Sequence, residues 1–182
     1  ADLLLAPEIS DVDGNLEERS GTISVFNGPK PLILSCDSEE EEAEAVGKWL
    51  SERIEEGVLP HEMAIFVRSA GEMNRARQAV ETADLPFKVL DEKLETASGH
   101  ISLSTMHLAK GLEFRAVAVM ACDDEVIPSQ ERIETVTDDT DLEEVYNTER
   151  HLLYVACTRA RDQLLVTSVD PGSEFLDDMQ GN

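Results

Sequence analysis

Chemistry-bearing side chains interrupt two apolar runs in the stretch from Ile101 to Ala121, which reads as strand, polar turn, strand. Thr105, His107, Lys110, Gly111 and Glu113 lie between the runs. Donors, a cation and a carboxylate gathered at a strand end suit the edge of a ligand site rather than a core. Gly111 is the residue there best suited to a tight backbone turn. A second such place is Arg159, followed by Arg161, where a helical pattern gives way to a strand. An arginine at that junction can aim a planar, permanently charged fork at a phosphate. Competing uses are local. The two arginines can simply complement a helix C-terminal dipole. Glu113 can pair with Lys110 or Arg115, and His107 can cap the turn.

The elements that must position these residues alternate along the chain. Leu32–Leu34 reads as a buried strand, and Asp37 or Ser38 caps a helix whose buried face is Ala43, Val46, Leu50 and Ile54. Glu39–Glu42 read as its solvated first turn. Met63–Arg68 is a strand, and a helix over 71–83 turns Met73, Ala76 and Val80 inward. Phe87–Leu90 is a short strand, joined by the polar connection 91–100 to the strand at Ile101. Residues 123–144, acidic and poor in large apolar side chains, read as a mobile loop. From Leu142 a helix carries Leu142, Val145, Leu152 and Ala156 on one face, with Tyr154 in the core. Gln163–Ser168 is the final strand. The pattern predicts an α/β domain with a mostly parallel sheet covered on both faces. Residues 1–30 read as an entering connection with an edge strand at 21–26, residues 31–170 as the domain, and 171–182 as an acidic tail.

Composition narrows the function classes. Among 182 residues, 41% are hydrophobic, ordinary for a globular chain, and no apolar run approaches the ~20 residues of a membrane span. Cys36, Cys122 and Cys157 form no Cys-x-x-Cys pair and sit in apolar patterns, so reduced core thiols and a cytoplasmic setting are expected. The four histidines show no ligand spacing, and no metal site is expected. No Gly-x-x-x-x-Gly-Lys-Ser/Thr occurs, so the Walker A phosphate loop is missing. The 39 acidic residues outnumber 15 basic ones, for a net charge of −24, and this far field repels a phosphate backbone. Contact with nucleic acid must therefore be small and local, or lie on another part of the protein.

Thr105–Phe114 (Thr-Met-His-Leu-Ala-Lys-Gly-Leu-Glu-Phe) resembles motif V of the UvrD/Rep-like superfamily 1 DNA helicases, and Arg150–Ala160 (Arg-His-Leu-Leu-Tyr-Val-Ala-Cys-Thr-Arg-Ala) resembles motif VI. The resemblance implies the C-terminal RecA-like domain of a longer, ATP-dependent, 3′-to-5′ DNA helicase. Such a domain is a P-loop NTPase-type three-layer fold without its own phosphate loop. ATP and Mg²⁺ would be held mainly by an N-terminal RecA-like domain, with single-stranded DNA the other partner and no membrane. It implies that Arg159 is the arginine finger and that Glu113 and Gly111 belong to the ATP site. Arg68, Thr105, His107 and Lys110 would face DNA. Three departures stand out: Ala70 replaces an asparagine usual after Arg68, His151 replaces the second arginine of a usual pair, and no large helical insertion fits into 91–100. Two alternatives remain open: a non-enzymatic acidic RecA-like binding module, and a helicase-like ATPase acting on RNA.

Overall fold

The computed structural model describes residues 8–10, 16–18 and 29–180. Near the start, β1 (Glu8–Ser10) and β2 (Leu16–Glu18) pair antiparallel. The edge strand expected at 21–26 lies outside the described residues. The domain proper runs β3 (Leu32–Cys36), α1 (Glu39–Glu55), β4 (Met63–Val67), α2 (Met73–Thr82), β5 (Phe87–Val89), β6 (Ile101–Thr105), β7 (Phe114–Val119), α3 (Gln130–Glu134), α4 (Asp139–Cys157), β8 (Ala160–Val169) and α5 (Phe175–Gln180). Six strands form one parallel sheet in the order β3-β8-β7-β4-β6-β5.

Strand alternation sorts the core into two layers. Ala64, Phe66, Val117, Val119, Leu164 and Val166 face a cluster completed by α4 and α5. Met63, Ile65, Val67, Ile101, Leu103 and Leu165 face one completed by α1 and α2. All five residues of β4 are buried, as a central parallel strand requires. This is the three-layer α/β fold expected from the alternation of elements. Among the described residues, no helix is long and apolar enough to cross a membrane.

Four local readings need revision. The strand expected to be buried at Leu32–Leu34 is β3 at the sheet edge, where Leu32 is exposed and Ile33 and Leu34 are only half-buried. The acidic stretch 123–144 is not one mobile loop. It holds α3 and the first turns of α4, where Asp138 caps the helix by accepting from Asp141 N at 2.9 Å. Acids there meet the positive end of the helix dipole. The tail also folds: Phe175 and Leu176 of α5 are buried in the core. On α4, Leu153 is fully buried and Leu152 only half-buried, so the inward face is Val145, Glu149, Leu153 and Ala156.

Gly47 sets the approach of α1 to α2. A Cβ added there would stand 2.8 Å from Ala79 O and 3.2 Å from the Ala83 side chain. Gly47→Ala should therefore lower stability by about 1–3 kcal/mol despite its better helix propensity. Urea unfolding checks this: a more stable variant would mean that the two helices can separate freely.

Candidate functional site

The predicted site residues divide between opposite edges of the sheet. Phe114 pairs with Ala160 where β7 and β8 begin, so Glu113 and Arg159 lie at the N-terminal edge. Val67 pairs with Thr105 where β4 and β6 end, so Arg68, Thr105 and His107 lie at the C-terminal edge. The six residues of β7, rising about 3.3 Å each, set the edges roughly 20 Å apart.

At the N-terminal edge, Arg159 curls back over the end of α4. Nε donates to Val155 O at 3.1 Å, Nη1 to Leu112 O at 3.1 Å and Nη2 to Thr158 Oγ1 at 3.3 Å. Among the described residues, three of the five guanidinium N–H groups are thus engaged, and one on each Nη remains for a ligand. The Arg159 carbonyl accepts from Phe114 N at 2.9 Å. Glu113 is therefore held between two residues bonded to Arg159, and its side chain is exposed. Arg115 is not its partner: that guanidinium is shared by Glu62 at 3.3 Å and Asp162 at 3.1 Å. Gly111 has φ +84°, the left-handed conformation its turn requires, and Lys110 beside it is exposed.

The C-terminal edge changes the role expected of Arg68. It is only 7% exposed. Nε donates to Glu149 Oε2 and Nη2 to Glu149 Oε1, both at 2.6 Å. Burial and the neutralising ion pair with Glu149, rather than a lack of N–H groups, set Arg68 apart from Arg159 and argue against the direct DNA phosphate contact expected from sequence. Arg68 instead supports His107, whose Nε2 lies 3.0 Å from Nη1. Arginine has only donors, so Nε2 presents its lone pair and the neutral ring carries its proton on Nδ1. Burial, and then the Arg68 charge, push the His107 pKa below its ordinary value. His107 is still exposed at the surface, and Thr105 is half-buried beside it.

Residues 90–170, which contain both Glu113 and Arg159, match the UvrD-like helicase C-terminal domain family. Over this region the chain is similar to UvrD-like helicase C-terminal domains. It is 32% identical over 145 residues to DNA helicase II of Rickettsia typhi, covering 79% of this chain and 19% of that protein. It is 42% identical over 77 residues to ATP-dependent DNA helicase UvrD1 of Mycobacterium leprae, covering 42% of this chain and 9% of that one. Identity to ATP-dependent DNA helicase PcrA of Staphylococcus epidermidis is 39% over 85 residues, 47% of this chain and 11% of PcrA. The chain thus spans less than a fifth of the length of each of these curated relatives. In fold it is similar to the C-terminal domain of a possible DNA helicase from Lactobacillus plantarum WCFS1, with a TM-score of 0.62 at 22% identity, covering 84% of this chain and 81% of that one.

Two buried carboxylates in this domain were not anticipated from sequence. Glu149, fully buried in the inward face of α4, accepts from Arg68, from Arg132 Nη1 at 2.9 Å and from Ser129 N at 3.2 Å. Burial raises its pKa, but the Arg68 and Arg132 bonds outweigh this and hold it below the ordinary carboxylate range. Glu42, also fully buried, accepts from Arg75 Nε at 2.8 Å, Thr167 Oγ1 at 2.7 Å and Ala121 N at 2.9 Å. Arg75 also binds Asp123. An acidic cleft of about 590 Å³ opens beside this network, and among the described residues Arg75 is the one cation lining it. Since Arg75 is already committed to Glu42 and Asp123, the cleft is no phosphate site. The signal for both carboxylates was periodic: Glu42 lies four residues before Val46, and Glu149 stands midway between Val145 and Leu153. An acid inside an apolar stripe needs an internal cation. The three cysteines are buried free thiols, and burial raises the pKa of each, that of Cys157 to about 12, which disfavours the thiolate a nucleophile requires.

Proposed function

We propose that this domain is the C-terminal motor half of an ATP-dependent DNA helicase, moving 3′ to 5′ along single-stranded DNA in the cytoplasm. The observation that carries the reading is the state of Arg159. It is anchored by three hydrogen bonds at the sheet edge, beside the exposed Glu113, with two N–H groups still free. Those donors suit phosphate oxygens, and the Glu113 carboxylate suits ribose hydroxyls. Together they make one edge of a nucleotide site. The Walker A loop is absent from the sequence, and among the described residues no group of three or more His, Cys, Asp or Glu could hold a metal ion. A phosphate-loop domain N-terminal to this one would therefore hold ATP and Mg²⁺, and Arg159 would stabilise the charge gathering on the transferred phosphoryl group across the cleft. Thr105, His107 and Lys110 would meet single-stranded DNA at the far edge and in the segment leading from it. The separation of the two sets supports a motor in which nucleotide and DNA act on one rigid domain.

The 182-residue chain alone should show no ATP turnover, because nothing in it grips the β-phosphate and Mg²⁺ together. It should also bind single-stranded DNA weakly, since a −24 charge opposes association. Hydrolysis assays with and without DNA, and a low-salt DNA titration, test both points. DNA-stimulated turnover by the purified chain would overturn its assignment as half a motor. Tight DNA binding would reveal a basic groove elsewhere on it. Joined to a phosphate-loop domain, the chain should support DNA-stimulated hydrolysis. An acidic binding module would give none.

A further inference from the structure

The segment 106–113 crosses one face of the sheet beneath α4, from the C-terminal edge to the N-terminal edge. Met106, Ala109 and Leu112 pack with Leu153, Ala156 and Cys157 in one apolar cluster. Polar bonds pin the segment to α4 at both ends. At one end, His107 is bonded to Arg68, and Arg68 to Glu149 through a two-bond fork. At the other, Leu112 O accepts from Arg159 Nη1, and Phe114 N donates to Arg159 O. Between these pins α4 runs without a break to Cys157. Coupling between sites can be carried by hydrogen-bond networks and packed rigid elements, and α4 joins the His107 end of this network to the Arg159 end.

Stability alone does not call for an acid at Glu149. It sits in the stripe of Val145, Leu153 and Ala156, where an apolar side chain would complete the core, and replacing a buried ion pair by apolar residues of similar volume is often neutral or stabilising. What the pair adds is direction. The fork fixes the plane of the Arg68 guanidinium and, through Nη1, the position of the His107 ring. We propose that Glu149 is a positioning residue that clamps the 106–113 segment to α4, so that occupancy of the His107 edge by single-stranded DNA is transmitted to Arg159. This rests on the reading that His107 meets DNA and Arg159 meets the nucleotide.

The test uses the full polypeptide containing the phosphate-loop domain, and reads ATP turnover with and without single-stranded DNA. Arg68→Met combined with Glu149→Leu removes the pair without stranding a buried charge. Arg132 and Ser129 N also lose their acceptor, so the double variant should melt a few degrees below wild type, yet keep DNA-independent turnover near wild type and lose about tenfold in DNA stimulation. Arg68→Lys keeps the charge but not the fork or the reach to His107, and should lose part of the stimulation in a folded protein. If the double variant keeps the wild-type ratio of stimulated to unstimulated turnover, the clamp is wrong while the motor reading stands. If both rates fall in proportion, Glu149 is merely structural and the proposal is again overturned. Absence of DNA stimulation in the wild type itself would sink the motor reading, and the clamp with it.

Discussion

In a polypeptide that also contains the phosphate-loop domain, Arg159→Ala should lower ATP turnover by about 10³- to 10⁵-fold and abolish unwinding. The expected size follows from what the side chain can offer. Its anchoring bonds to Val155 O and Leu112 O hold the guanidinium at the sheet edge before any ligand arrives. The two free N–H groups then act on developing phosphoryl charge without reorganisation. Arg159→Lys should fail substantially as well. An ammonium cannot hold two carbonyls in fixed directions and also present a fork. Affinity for ATP should fall less than turnover, because most binding groups belong to the other domain. The same anchoring bonds make the substitution structurally felt. Loss of an arginine exposed in a cleft would leave folding untouched, whereas this one caps the carbonyl end of α4. Loss of the cap should cost about 1–2 kcal/mol, or a few degrees of melting temperature. Turnover, ATP affinity and melting must therefore be measured on the same preparations. Near-wild-type hydrolysis by a folded Arg159→Ala protein would show that motif VI has been misassigned here.

The layered fold was legible because its signals are local. Buried parallel strands read as apolar runs, and α1 and α2 carry their inward residues at helical spacing. Boundaries failed where charge was taken for mobility. Asp138, Asp139 and Asp141 form a capped first turn, and acidity there stabilises the helix that carries Glu149. The tail failed for the opposite reason: its apolar pair Phe175 and Leu176 is too short to show a period, yet both are buried, and Arg150 lies 4.9 Å above the Phe175 ring. At the candidate site, the motif spacing pointed to Glu113, His107 and Arg159, and the fold sets them at two edges. The place of Arg68 could not be read, because its partner is 81 residues away and only the sheet and α4 bring the two together. A lone arginine after a strand looks like a ligand for phosphate until the acid facing it is known.

Glu42→Ala should be among the most damaging single substitutions for stability, at about 3–5 kcal/mol. Four acids stand in the first turn of α1, and by sequence all four belong to a solvated helix start that the dipole favours. Only Glu42 points inward. Removing its carboxylate leaves the buried Arg75 guanidinium with Asp123 alone and strips Thr167 Oγ1 and Ala121 N of their acceptor. Those groups belong to α2, β8 and the chain just beyond β7, so α1 loses its polar tie to three parts of the domain at once. Glu40→Ala, at an exposed position of the same turn, should change stability by no more than about 0.5 kcal/mol. For a domain of this size, the Glu42 cost corresponds to a fall of roughly 6–20 °C in melting temperature. Thermal melts of both variants, with urea unfolding of Glu42→Ala, make the comparison. Glu42→Gln separates charge from shape. It can still accept from Thr167 and Ala121 N but leaves Arg75 undercompensated, so it should fall between wild type and Ala. Equal, small effects at Glu40 and Glu42 would mean that Arg75 finds Asp123 and water sufficient, and that the run is a solvated helix start after all.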